Sequence, residues 1–174
     1  RRLLPTAALA ALLAVPSAAP AQPMMPSPAR EVGWTQNPGT KLPLDATFKD
    51  ENGKAVRLGD YFGKRPVLLS LAYYECPMLC GIALEGLARS LRGFTLAPGA
   101  DFEVVTISFS PTEGPELARG KKTNLVEAYG RKAEGEAGWH FLTGDEAQIR
   151  RVPEAVGFRY RWDEPQKQSA HATG

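Results

Sequence analysis

The sequence predicts an α/β domain whose central sheet is mainly parallel, with helices on its faces and a β-hairpin at its N-terminal side. Three observations carry this expectation. Two near-continuous apolar runs, Pro66-Val-Leu-Leu-Ser-Leu-Ala72 and Phe102-Glu-Val-Val-Thr-Ile-Ser108, have the composition of strands covered on both faces. Segments with apolar residues at helical spacing lie between and after them. Strands that alternate with helices in this way close into a parallel sheet, because each crossover carries a helix back over a face.

Taken in order, Arg1-Arg2, the apolar stretch from Leu3 to Val15 and the small residues Ser17 to Gln22 form an export-signal pattern, with Ala19-Pro20-Ala21 at the cleavage position. Residues 1–21 are therefore expected to be a signal peptide, or part of a membrane anchor, and the protein to work in an oxidising extracytoplasmic space such as the periplasm. Residues 22–45, with Pro23, Pro26, Pro28, Pro38 and Pro43 and little periodicity, read as a tether. Met24-Met25 are soft ligands in principle but lie in that tether, outside the expected site. Residues 46–174 are the expected single domain. Without Arg1 and Arg2, 19 basic residues stand against 19 acidic ones, which leaves no electrostatic footprint for nucleic acid.

Within the domain, Phe48 to Leu58 alternates around Asn52-Gly53, the signature of a two-residue hairpin turn. Gly59 to Gly63 suggests one helical turn before the first buried strand, Pro66 to Ala72. Leu79, Ile82, Ala83, Leu87 and Leu91 then predict an amphipathic helix that starts at the cysteines and runs to about Phe94. Phe102 to Ser108 is the second buried strand, Pro115 to Tyr129 a second helix, Phe141-Leu142 a short strand and Asp145 to Val156 a third helix interrupted by Pro153. Phe158 to Trp162 is a further strand, and Pro165 to Ala170 a polar loop that leads to His171. No closing element is legible after it.

The chemistry is concentrated in "YYECPMLCG", residues 73–81, which holds the only two cysteines, Cys76 and Cys80. On a helix, positions i and i+4 share a face, so the thiols can share a metal or close a disulfide. A strand-to-helix turn also places Cys76 near unsatisfied N–H groups that favour a thiolate, and Pro77 suits a first helical turn. Glu75 opposes that stabilisation. A purely structural disulfide is the plainest alternative, but one closing so short a loop removes little entropy from the unfolded chain. Two thiolates and one imidazole suit Cu(I), and with a further donor Cu(II), whereas structural zinc wants four ligands. The histidines are His140, inside a strand pattern, and His171. His171 is favoured as the ligand, since loops at strand ends gather around the first strand-helix turn, and His140 stays open.

Residues about 40 to 174 resemble the SCO/SenC family of thioredoxin-like copper proteins that assist cytochrome c oxidase assembly. The resemblance is carried by "PVLLSLAYYECPMLC", "VVTISFSPTEGPELA", "WHFLTG" and the late histidine of "SAHATG", together with the export signal. It departs from the family pattern at Gly81, where a second proline is usual, and at Phe109-Ser110-Pro111, where an Ile-Asp-Pro-like turn is usual. The resemblance implies a thioredoxin-like fold, copper held by Cys76, Cys80 and His171, and a hairpin and closing helix that this sequence lacks after the histidine. It implies a metallochaperone, not an enzyme, that delivers copper to the CuA-bearing subunit of cytochrome c oxidase. It equally permits a thiol-disulfide reductase in which Cys76 attacks and Cys80 resolves, acting on the oxidase's copper-ligand cysteines or on other periplasmic copper or thiol-redox proteins. A peroxiredoxin-like peroxidase is disfavoured by Tyr73, which stands where a threonine is usual.

Overall fold

The structure is a computed structural model that describes residues 32–76, 79–164 and 168–171, with the side chains of Leu79 and Gln168 excepted. The expected signal at 1–21, Met24-Met25 and Pro77 lie outside the described residues. The central sheet has three strands, β4 (Val67–Ala72), β5 (Glu103–Ser108) and β6 (Trp139–Leu142), all parallel and in the order of the sequence. β5 is the middle strand and is buried from Val104 to Ser108, which is why its sequence is apolar rather than alternating. Helix α1 (Leu79–Arg92) returns the chain from β4 to β5. It buries Cys80, Leu84, Ala88 and Leu91 along one face and exposes Ile82, Glu85 and Arg89 on the other.

Helix α2 (Pro115–Tyr129) matches its expected span, with Pro115 in the first turn and Gly130 in the left-handed cap. It packs on α1, β6 and a short helix α3 (Lys132–Gly138) that the sequence pattern did not suggest. The reason is compositional: α3 reads Lys-Ala-Glu-Gly-Glu-Ala-Gly and has no large apolar residue to mark a period.

Three local expectations need correction. The hairpin is real, with β2 (Thr47–Lys49) antiparallel to β3 (Ala55–Arg57), but Asn52-Gly53 is not a two-residue turn. The connection spans 50–54, because the Asp50 carboxylate accepts the N–H groups of Asn52 and Lys54 and folds the loop on itself. Cys76 carries no helical assignment whereas Cys80 lies in α1, so the two cysteines do not both ride one helical face. Helix α4 (Glu146–Val156) runs through Pro153 without interruption. Pro153 lies near its C-terminal end and is itself buried, and its carbonyl accepts the Gly157 N–H that closes the helix.

The largest difference concerns the chain's two ends. Within the expected tether, β1 (Gly33–Trp34) forms and pairs antiparallel with β7 (Phe158–Asp163). Gly157 permits this approach: it has φ of 73° and lies so close to the Thr35 carbonyl that a Cβ there would collide with it. On the other side of β7, the expected polar loop contains β8 (Gln168–His171), antiparallel to β7. His171 is paired with Tyr160 in that ladder and is not carried on a loop. Its short Gln-Ser-Ala-His sequence has no apolar alternation, so the strand is made by the free edge of β7 rather than by its own propensity.

Candidate metal centre

The strand-to-helix turn after β4 is built by Tyr74 and Glu113. The Tyr74 side chain is fully buried and its hydroxyl lies 2.9 Å and 3.0 Å from the carbonyl oxygens of Thr106 and Leu142, one on β5 and one on β6. Its backbone N–H donates to Glu113 Oε2 at 3.0 Å, and the next N–H, of Glu75, donates to Glu113 Oε1 at 2.7 Å. The Cys76 N–H then donates to the Tyr73 carbonyl, which tightens the turn. Cys76 emerges from it half-buried, whereas Cys80 is buried on the inner face of α1.

Both cysteines are thiols rather than a disulfide, and each sulfur receives a backbone N–H. The Cys80 N–H, in the first turn of α1, points at Cys76 Sγ at 3.5 Å, and the Tyr73 N–H points at Cys80 Sγ at 3.3 Å. Main-chain donors of this kind fix where each sulfur lies. His171 completes the group from β8, with Nε2 at 3.4 Å from Cys80 Sγ and 4.0 Å from Cys76 Sγ. The three donor atoms all lie within 4.8 Å of one another. An ion bonded to sulfur and nitrogen at about 2.0–2.3 Å in a plane sets its donors roughly 3.5–4 Å apart, so the group has the right size for a three-coordinate ion.

Phe109 fixes the imidazole. It is buried directly after β5, with its N–H on the Ala72 carbonyl, and its ring meets His171 edge-to-face at 5.3 Å and Tyr160 at 4.8 Å. His140, the other histidine, lies elsewhere. Its Nε2 is 3.2 Å from Glu103 Oε2, and its ring rests on Tyr61 with centroids 4.5 Å apart. Arg65 pairs with the other oxygen of Glu103. The structure thus brings Cys76, Cys80 and His171 together and leaves His140 out.

The SCO1/SenC family model matches residues 36–173. The chain belongs to the SCO1/SenC family. Solved structures agree in fold. A protein from Aquifex aeolicus VF5 superposes with a TM-score of 0.63 at 24% identity, over 78% of this chain and 74% of that chain. Arabidopsis thaliana ScoI with copper bound gives 0.55 at 19% identity over 71% and 72% of the two chains. Bradyrhizobium japonicum ScoI with copper bound gives 0.53 at 21% identity over 73% and 76%. The comparison with curated proteins finds no match. The mixed α/β fold expected from the sequence is therefore the thioredoxin-like fold of the Sco structures.

Reading the SCO1/SenC chain from sequence missed Tyr74, Phe109 and Glu113 as parts of the site. Tyr74 stood just ahead of the cysteines with no sign of its role, and Phe109 was marked only as a departure from the family turn. Glu113 stood in a Thr-Glu-Gly-Pro loop with no sign that it folds inward, although it is only 6% exposed. Burial pushes its carboxyl above the usual range, opposed by the donors from Ser108, Tyr74 and Glu75. Among the described residues no helix is long and apolar enough to cross a membrane.

Proposed function

We propose that this protein is an extracytoplasmic copper metallochaperone, which holds one copper ion through Cys76, Cys80 and His171 and passes it to the CuA site of cytochrome c oxidase. The observation that carries the reading is the convergence of two sulfurs and one imidazole nitrogen within 4.8 Å, drawn from three separate elements. Membership of the SCO1/SenC family and the copper bound in two proteins of the same fold make copper the ion of choice. Two thiolates match the soft Cu(I) ion, and the imidazole extends the set toward Cu(II). A three-donor site also suits transfer, because an acceptor's thiolate or imidazole can join the ion before a donor here lets go. Cys76 is the more exposed sulfur and is the natural point of exchange. Export by the signal at 1–21 delivers the protein to the side of the membrane where such an acceptor is assembled, with 46–174 as the working domain.

The test is copper titration of the reduced protein. About one Cu(I) per chain is expected, and Cys80→Ser should abolish tight binding, with the thiolate-to-copper absorption lost. Near-native affinity in that variant would remove the site.

A second reading, thiol-disulfide reductase, is favoured by the unequal exposure of the cysteines. The Cys76 thiolate would attack a partner disulfide, breaking its S–S bond and releasing one partner thiolate. Cys80 would then attack the Cys76 sulfur, freeing the second partner thiol and leaving a Cys76–Cys80 disulfide. Two electrons pass from this protein to the partner. The histidine has no part in that exchange, so the two readings separate on His171.

A further inference from the structure

We infer that Glu113 is a positioning residue of the metal centre: its buried carboxylate holds the Tyr73–Cys76 turn in the one conformation that brings the Cys76 sulfur to Cys80 and His171. The inference rests on the ligand set proposed above and assigns a role to a residue outside it. Glu113 reaches the turn from the loop after β5, and both of its oxygens are used there. Oε1 accepts the Glu75 N–H, while Oε2 accepts the Tyr74 N–H and the Ser108 hydroxyl. Two consecutive N–H groups on one carboxylate fix the peptide planes immediately before Cys76. Ser108 in turn is fixed, since its Oγ accepts the Ser110 N–H at 3.0 Å. Tyr74 is thus held twice, by its hydroxyl on the β5 and β6 carbonyls and by its N–H on Glu113, just ahead of Cys76.

The molecule contains its own control. Glu51 is equally buried, at 6% exposure, but its oxygens meet the Lys122 ammonium at 2.6 Å and the Phe141 N–H at 3.2 Å, away from the sulfurs. A carboxylate that only stabilises the fold should behave like Glu51. One that shapes the site should change the site.

The experiment compares Glu113→Gln, Glu113→Ala and Glu51→Gln in the full chain. Three quantities are read: Cu(I) affinity by competition with a chelator, the Cu(II)-thiolate absorption and EPR spectrum, and the rate at which oxidised glutathione closes the Cys76–Cys80 disulfide in the metal-free protein. Glu113→Gln keeps one acceptor oxygen and turns an NH2 donor toward a backbone N–H. It should weaken copper about 10–100-fold, the usual cost of losing a partner behind a ligand, and alter both the spectrum and the closure rate. Glu113→Ala should exceed it. Glu51→Gln should lower the melting temperature yet leave all three readouts unchanged. Should Glu113→Gln fail to fold, Ser108→Ala removes the hydroxyl that donates to the carboxylate, together with the acceptor of the Ser110 N–H, and should shift the same readouts by less. Unchanged spectrum and closure rate in the folded Glu113 variants, or equal changes in Glu51→Gln, would overturn the inference. If the wild type binds no copper, the functional reading fails, while the closure rate still decides the role of Glu113.

Discussion

Two polar clusters divide the labour in this molecule, and they differ in what their groups offer: opposite charges that pair in one, soft donors that converge in the other. Glu51, Lys122 and His140 line one pocket, where every named group has a partner of opposite character. Lys122 Nζ is 2.6 Å from Glu51, Glu51 also accepts the Phe141 N–H, and His140 faces Glu103. Cys76, Cys80 and His171 form the other, where three soft donors converge and the main chain supplies N–H groups to the sulfurs. Soft donors that converge on one point are what a metal ion needs. Parallel strands explain the placement, since β4 and β5 end on the same side and the loops after them, bearing Cys76 and Glu113, meet there.

The largest expected effect breaks the first cluster. Lys122 and Glu51 side chains are each 8% exposed, so Lys122→Ala would leave a carboxylate buried without its cation. Truncating one partner of such a pair costs about 3–5 kcal/mol. Chemical denaturation should show that loss, while the copper stoichiometry of the folded protein stays at its wild-type value. Copper loss in step with Lys122→Ala at a temperature where the variant is folded would show that the clusters are not independent.

A smaller effect separates the two histidines. His171→Ala should weaken copper retention, above all of Cu(II), and leave thiol-disulfide exchange by Cys76 and Cys80 largely intact. His140→Ala should leave copper unchanged, since Glu103 and Tyr61 are its neighbours. Copper loss on His140→Ala alone would reassign the third ligand.

Much of this contrast was legible in the sequence, and for a physical reason in each case. β5 and α2 were plain because burial on both faces, or a proline start and glycine stop, leaves a strong local mark. The cysteine pair was plain because no other cysteine competes. What stayed hidden depends on pairing between distant segments. β8 has no pattern of its own and exists because β7 offers an edge, so His171 looked like a loop residue. The turn that keeps Cys76 out of the helix was hidden for a related reason: it is held by Glu113, 37 positions further along the chain than Cys76, and no local rule connects them. Periodicity reports what a segment buries, not which remote carboxylate caps it.

The smallest effect sharpens the comparison at the carboxylates. Burial holds the Glu113 carboxyl above its ordinary value of 4.5, because loss of water disfavours the anion more than the Ser108, Tyr74 and Glu75 donors favour it. A carboxyl whose pKa is higher folded than unfolded binds more protons in the native state between those two values. Its contribution to stability is therefore fully present below pH 4.5 and is lost as the pH rises through the folded pKa. Glu113→Gln carries no such proton. The unfolding free energy of the wild type minus that of the variant, measured by denaturant titration at a series of pH values, should decline from pH 4.5 upward and then level off. The other carboxyl groups contribute equally to both proteins and cancel. A difference that instead rises with pH would mean that the two backbone N–H groups hold Glu113 as a firm anion. The turn before Cys76 would then tighten as the carboxylate forms.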